Sequence, residues 1–207
     1  MTAELGLQQL KSARARESMC ESTIGLLAKV GYAETTIAAV AQDAGFSKGA
    51  LQYHFPTKEE LIAATVEHLL MRTVPSASQP YDSVESALRN AWLRLINTSA
   101  YRALLEVLNA ARTDRKLRLR ISAELVAWGK NLDQQSLSIY QSADHQQAAA
   151  AADAQVVMLL NMTRSFMRGL LTQEQYGVSP EETLSYVEKW IELIAPLLQL
   201  RKPSSSY

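Results

Sequence analysis

Apolar positions along the chain recur at steps of three and four, and sustained period-two alternation is scarce. That pattern predicts an all-α fold of about nine helices. The first helix is expected over about 7–30: Ile24, Leu27, Ala28 and Gly31 share a face, and Gly31 closes it. Two short helices follow at about 37–44 and 48–55. A fourth begins after Thr57 and reaches about Thr73, with Thr57 and Glu60 spaced as a capping box. Further helices are expected at about 82–99, 102–112, 114–142, 146–176 and 180–200. Asp82 or Ser83 can cap the first of these. Ser179, Pro180 and Glu182 start the last one, after Gly177 closes its predecessor.

Glycine and proline punctuate only a few places. Pro75 to Pro80 is rich in Ser, Ala and Pro and reads as a domain boundary. The expected division is 1–57, 58–80 as a connecting helix and linker, and 81–207. Arg201 to Tyr207 is expected to fray. No internal repeat is visible.

The informative stretch is 36–55. Thr36 can cap the first short helix, and Ile37, Val40 and Ala41 form its inner face. Ala41 is small where two helices must cross closely. Gly45 can take a positive φ, Phe46 plugs the gap, and Ser47 caps the second helix. Leu51 and Phe55, four apart, anchor that helix inward. Lys48, Gly49, Gln52, Tyr53 and His54 are left outside. A two-turn helix exposing Tyr, Gln and Lys suits the recognition helix of a helix-turn-helix, which lies in the major groove of DNA.

The string from Gly31-Tyr32 through Thr35-Thr36, Val40-Ala41, Ala44-Gly45-Phe46-Ser47, Gly49, Leu51, Tyr53-His54-Phe55 and Lys58-Glu59 to Leu61 resembles the DNA-binding domain of the TetR family of transcriptional regulators. The resemblance implies a three-helix helix-turn-helix domain, followed by a larger helical domain for ligand binding and dimerisation. It implies that Thr36 contacts phosphate, and that Ser47, Lys48, Gly49 and Ala50 approach bases and phosphates. Gln52 would face bases, Tyr53 and His54 would pack on sugar-phosphate, and Lys58 would bind phosphate. The family commonly has an aromatic at the position of Gln52, whose amide can pair bidentately with adenine. Lys11, Arg14 and Arg16 are expected on a mobile arm that also reaches DNA.

Composition narrows the alternatives. Lys+Arg and Asp+Glu both number 21, which excludes a strongly basic coat and an acidic tail. Residues 1–58 carry six basic and five acidic side chains, so charge alone does not announce a nucleic-acid partner. The run Arg112, Arg115, Lys116, Arg118 and Arg120 reads as a solvated face or helix junction, with a second nucleic-acid site as the alternative. Cys20 is the one cysteine and is expected to be buried. Together with three scattered histidines it offers neither a disulfide framework nor a metal cage. No stretch free of charge exceeds ten residues, too short for a bilayer. Met1 to Cys20 lacks the apolar core of a signal peptide. A cytoplasmic protein with no cofactor and no membrane partner is expected. No phosphate loop or nucleophile elbow marks an enzyme.

The last two helices show more apolar surface than one contact needs. In the final helix, Leu184, Val187, Ile191, Ile194 and Leu198 form one stripe, and Tyr186, Trp190, Leu193, Leu197 and Leu200 another. The preceding helix carries Val156, Leu159, Phe166 and Leu170 beside Val157, Leu160, Met167 and Leu171. A homodimer is expected through Val156, Leu160, Met167, Tyr186, Trp190, Leu193 and Leu197. Two such protomers would read a palindromic operator. His68, Trp92, Leu104, Leu108, Trp128, Asn131, Met162 and Phe166 are candidates for lining an inducer cavity among the middle helices. The reading is a ligand-responsive regulator of double-stranded DNA, a repressor that a small molecule releases. The alternative is a non-catalytic interaction or sensing protein of the same fold without DNA binding.

Overall fold

The computed structural model describes residues 2–72 and 81–201. Among them nine α-helices follow in chain order: α1 (Thr2–Glu34), α2 (Ile37–Asp43), α3 (Lys48–His54), α4 (Lys58–Arg72), α5 (Val84–Ala91), α6 (Ser99–Thr113), α7 (Arg115–Ile139), α8 (Ala149–Gln173) and α9 (Pro180–Ile194). Thr73, the Pro75–Pro80 stretch and residues 202–207 lie outside the described residues. No helix among the described residues is long and apolar enough to cross a membrane.

Local chemistry explains most of the boundaries. Gly31 breaks the helical path of α1 at φ 77° and ψ 175°. Thr57 and Glu60 form their capping box, with the Thr57 and Glu60 amides each bonded to the other's side chain at 3.2 Å. Ser179 and Glu182 do the same at the start of α9. At α5 the cap is Ser83, paired reciprocally with Ser86.

Three expectations need correction. The helix placed at 82–99 ends at Ala91 and widens into a π-helical turn, Trp92–Ile96. The Asn97 amide closes that turn on the Trp92 carbonyl at 2.7 Å, and Trp92 is 2% exposed. The helices placed at 114–142 and 180–200 stop short, because Tyr140–Ser142 (β1) and Leu198–Leu200 (β2) form an antiparallel pair with Tyr140 opposite Leu200. Pro196 lacks the amide that would continue α9, so Ala195–Leu197 tightens to a 3-10 turn before β2. Lys11, Arg14 and Arg16 lie in the N-terminal part of α1, within the helix expected over about 7–30.

The described chain forms two compact units: residues 1–73 with Ser99–Val126, and residues 74–98 with Ala127–Tyr207. In the first, α1 packs along α4 and α6, and α2 crosses α3. Met19, Cys20, Val40, Ala41, Leu51, Phe55 and Leu61 form a buried cluster there, with Ile37, Ala44 and Phe46 packed against it. Burying Phe55 alone is worth about 1.5–3 kcal/mol. Buried Thr23 and Thr65 donate to carbonyls one turn back, so neither hydroxyl is left unbonded. Cys20 is buried as expected, and burial pushes its thiol pKa up.

In the second unit, α5 and α9 pack together, with Val84, Ala87 and Leu88 buried on one and Val187, Ile191 and Ile194 on the other. Arg89 clamps Glu188 with two bonds of 2.6 Å. The strand pair extends at both ends through Ala143 to Leu197 and Arg201 to Ile139. The Trp190 indole donates to Thr163 at 3.1 Å, and Phe166 stacks on Trp190 at 4.7 Å. All three tryptophans, Trp92, Trp128 and Trp190, belong to this unit.

Candidate nucleic-acid interface

The interface starts with two caps and a glycine. Thr36 accepts the Ala39 amide at 3.1 Å, and Ser47 accepts the Ala50 amide at 3.1 Å. Between them Gly45 sits at φ 74°, where an L side chain is disfavoured. The Phe46 amide then bonds back to the Ala41 carbonyl at 2.8 Å. These bonds fix how α3 leaves α2. Leu51 and Phe55 are 0% and 1% exposed, so α3 cannot roll about its axis without opening the core.

With that face fixed inward, the opposite face is presented. Lys48, Gly49 and Gln52 are exposed, Ala50 and His54 are half-buried, and Tyr53 is 84% exposed. The Tyr53 and His54 rings meet edge-on at 5.2 Å. Thr36 and Ser47 are exposed. Eight of the nine candidate DNA contacts thus lie on α3, at its cap Ser47, or at the α2 cap Thr36.

Lys58 is placed differently. Its ammonium donates to the Tyr32 carbonyl at 2.5 Å and lies 4.1 Å from the centre of the Tyr32 ring. Desolvation lowers its pKa, against the raising influence of Glu59, Glu34 and Asp114. Tyr32 is raised to about 12, first by burial and then by the neighbouring Asp114 and Glu59 charges, with a hydrogen bond to Asp114 adding to the shift. Arg16 also points inward: it donates to the His54 carbonyl at 2.9 Å and covers the Phe55 ring at 4.3 Å. Arg16 therefore fastens the end of α3. A cleft of about 550 Å³ separates Gln8, Lys11 and Ser12 on α1 from Phe46, Tyr53 and His54.

The other candidates are divided between the units. His68 is half-buried and 2.5 Å from Glu21, Leu104 is buried and Leu108 half-buried, all in the first unit. In the second unit Trp92 is core, and Trp128 and Phe166 are half-buried. Asn131 is exposed, as is Met162 at 49%.

Three of the expected dimer contacts are corrected. Val156, Leu160 and Met167 are 0%, 5% and 0% exposed, buried within the protomer. The outer face of α8 carries Met158 and Met162 instead. On α9 Tyr186, Leu193 and Leu197 are 44%, 60% and 43% exposed, and Trp190 is half-buried. Periodicity passes over Met158 because α8 is apolar on several sides.

Comparison with known proteins agrees with this geometry. Residues 21–65 match the profile of bacterial regulatory proteins, tetR family. An uncharacterized HTH-type transcriptional regulator of Mycobacterium tuberculosis is 32% identical over 117 residues, 54% of this chain and 60% of that protein. The HTH-type transcriptional regulator CymR of Pseudomonas putida is 38% identical over 69 residues, 33% of this chain and 34% of its own length. The chain thus spans about 60% of the mycobacterial relative. Among solved structures, a transcriptional regulator from Saccharomonospora viridis in complex with choline superposes with a TM-score of 0.61 at 19% identity, covering 92% of this chain and all of that one. Residues 21–65 thus carry a match to the helix-turn-helix domain of the tetR family of bacterial regulatory proteins.

Proposed function

We propose that the protein is a homodimeric, sequence-specific DNA-binding regulator, a repressor that a small molecule releases from a palindromic operator. The observation that carries this reading is the outward face of α3. Lys48, Gly49, Gln52 and Tyr53 stand in solvent on a helix whose opposite face, Leu51 and Phe55, is locked into the core. Thr36, Ser47, Ala50 and His54 complete that contact surface, and Gln52 reads a base edge. In this proposal 1–57 is the DNA-binding domain, 58–80 the connection and 81–207 the ligand-binding and dimerisation domain, in a cytoplasmic protein.

Dimerisation proceeds through the outer face of α8 and α9, where Met158, Met162, Tyr186, Leu193 and Leu197 are exposed. Such an apolar face pairs with its own copy under two-fold symmetry. The fold neighbour that holds choline supports a small-molecule effector for this fold. Effector binding would shift the dimer toward a spacing of recognition helices that does not fit the operator.

Selection of genomic DNA fragments on the ligand-free protein tests the reading. A few enriched sites sharing an inverted repeat are expected, and Gln52→Ala should relax the preference at one position of each half-site. No enrichment from folded, ligand-free protein would transfer the fold to a non-DNA-binding interaction protein.

A further inference from the structure

We infer that the basic strip at the α6–α7 joint, Arg112, Arg115, Lys116 and Arg118, is a second phosphate-binding surface that grips double-stranded DNA beside the recognition helix. The inference rests on the DNA-binding reading above and extends its contact surface to a part of the chain far from the helix-turn-helix in sequence.

Three contacts place the strip. Asp114 caps α7 by accepting the Leu117 amide at 3.0 Å, and its charge lies close enough to Tyr32 to help raise that phenol's pKa. Tyr32 in turn holds Lys58, the first residue of α4. Further along, Arg120 pairs with Glu60 at 3.1 Å. The first turns of α7 therefore run beside the first turn of α4, which directly follows α3. All of these residues lie in one compact unit.

The charge there is unusual for a helix start. The first turn of α7 contains no acidic residue, and Arg115, Lys116 and Arg118 are all exposed. Cations at a helix N-terminus oppose the macrodipole, and Arg115 and Arg118, three apart, repel one another. Among the described residues Arg115 and Lys116 form no ion pair, and Arg118 reaches only the Arg112 carbonyl at 3.5 Å. Of the nearby carboxylates, Asp114 bonds the Leu117 amide and Glu60 pairs with Arg120, and neither forms an ion pair with Arg115, Lys116 or Arg118 among the described residues. An arrangement that works against its own helix is relieved by a polyanion. Lys58, the cation expected to take phosphate at this edge, is turned onto the Tyr32 carbonyl. The strip supplies the positive charge that Lys58 does not present.

The test is fluorescence anisotropy of the selected duplex between about 50 and 300 mM salt, with each phosphate contact adding about 0.9 to the salt slope. The proteins are the wild type, R115A/K116A/R118A, R115K/R118K and Q52A. The triple variant should lower the slope by about 2–3 and weaken binding at least tenfold at low salt, with base preference unchanged. R115K/R118K, which keeps the charge, should keep the slope. The triple variant should also melt at a higher temperature than the wild type, since its helix start is relieved. A wild-type slope in the triple variant, or a lower melting temperature, overturns the inference. If Q52A still changes base preference, the DNA-binding reading survives that outcome. If the wild type binds no duplex, that reading falls and the inference with it.

Discussion

Alanine at position 45 and alanine at position 25 should move the stability of the first unit in opposite directions. Gly45 sits at φ 74° with open space around the position a Cβ would occupy. No clash contributes there, and only the backbone penalty remains. A left-handed conformation costs an L residue about 1–2 kcal/mol. The stiffer unfolded chain returns about 0.4–1 kcal/mol of that. Gly45→Ala should therefore lose about 1 kcal/mol, and Gly45→Asn, which tolerates the conformation, less than half of it. Gly25 also has open space but lies inside α1 with ordinary helical backbone. There the same substitution should gain about 0.5–1 kcal/mol. Urea unfolding followed by helical circular dichroism would read both: about 1 kcal/mol moves the midpoint by about 0.5 M at a slope near 2 kcal/mol/M. Equal signs for the two alanine variants, or a Gly45→Asn penalty as large as that of Gly45→Ala, would refute this reasoning. Because Gly45 also sets how α3 leaves α2, DNA affinity should fall in Gly45→Ala and stay unchanged in Gly25→Ala.

Two further outcomes follow from the second unit. The Arg89 clamp holds the Glu188 pKa below the usual carboxylate range. Its contribution is present above the unfolded carboxylate pKa and fades as pH falls through the depressed value. Both side chains are partly exposed, so Arg89→Met should cost only about 0.5–1 kcal/mol at neutral pH. That cost should vanish near pH 2, as urea midpoints at the two pH values would show. Leu193 is 60% exposed, so Leu193→Glu should leave the protomer folded while sedimentation equilibrium reports a monomer. A variant that stays dimeric would take the α9 stripe out of the interface.

The parts of the fold legible in sequence are those written in neighbouring residues. Thr36, Gly45, Ser47, Leu51 and Phe55 determine caps, turn and inward face within one short stretch, and each does what its chemistry predicts. What depends on distant partners is harder to read. The β1–β2 pair joins residues about 58 positions apart through strands of three residues, too short for alternation to show. The π turn at Trp92 exists because the core draws the indole in, a tertiary demand that periodicity does not carry. On α8, apolar residues on several sides hide which ones face out, so periodicity assigns Val156, Leu160 and Met167 to a partner and passes over Met158. Lys58 has the right residue type for phosphate, yet its ammonium finds the Tyr32 carbonyl, 26 positions away.

The tryptophans divide the molecule optically. Trp92, Trp128 and Trp190 all reside in the second unit, so the first unit is dark when indole emission alone is collected. Native indole emission therefore reports on the second unit. A tryptophan substituted at Tyr53, 84% exposed on α3, would add the complementary channel, reporting the encounter itself. Recording the two channels against time would show whether the second unit responds with the encounter or after it.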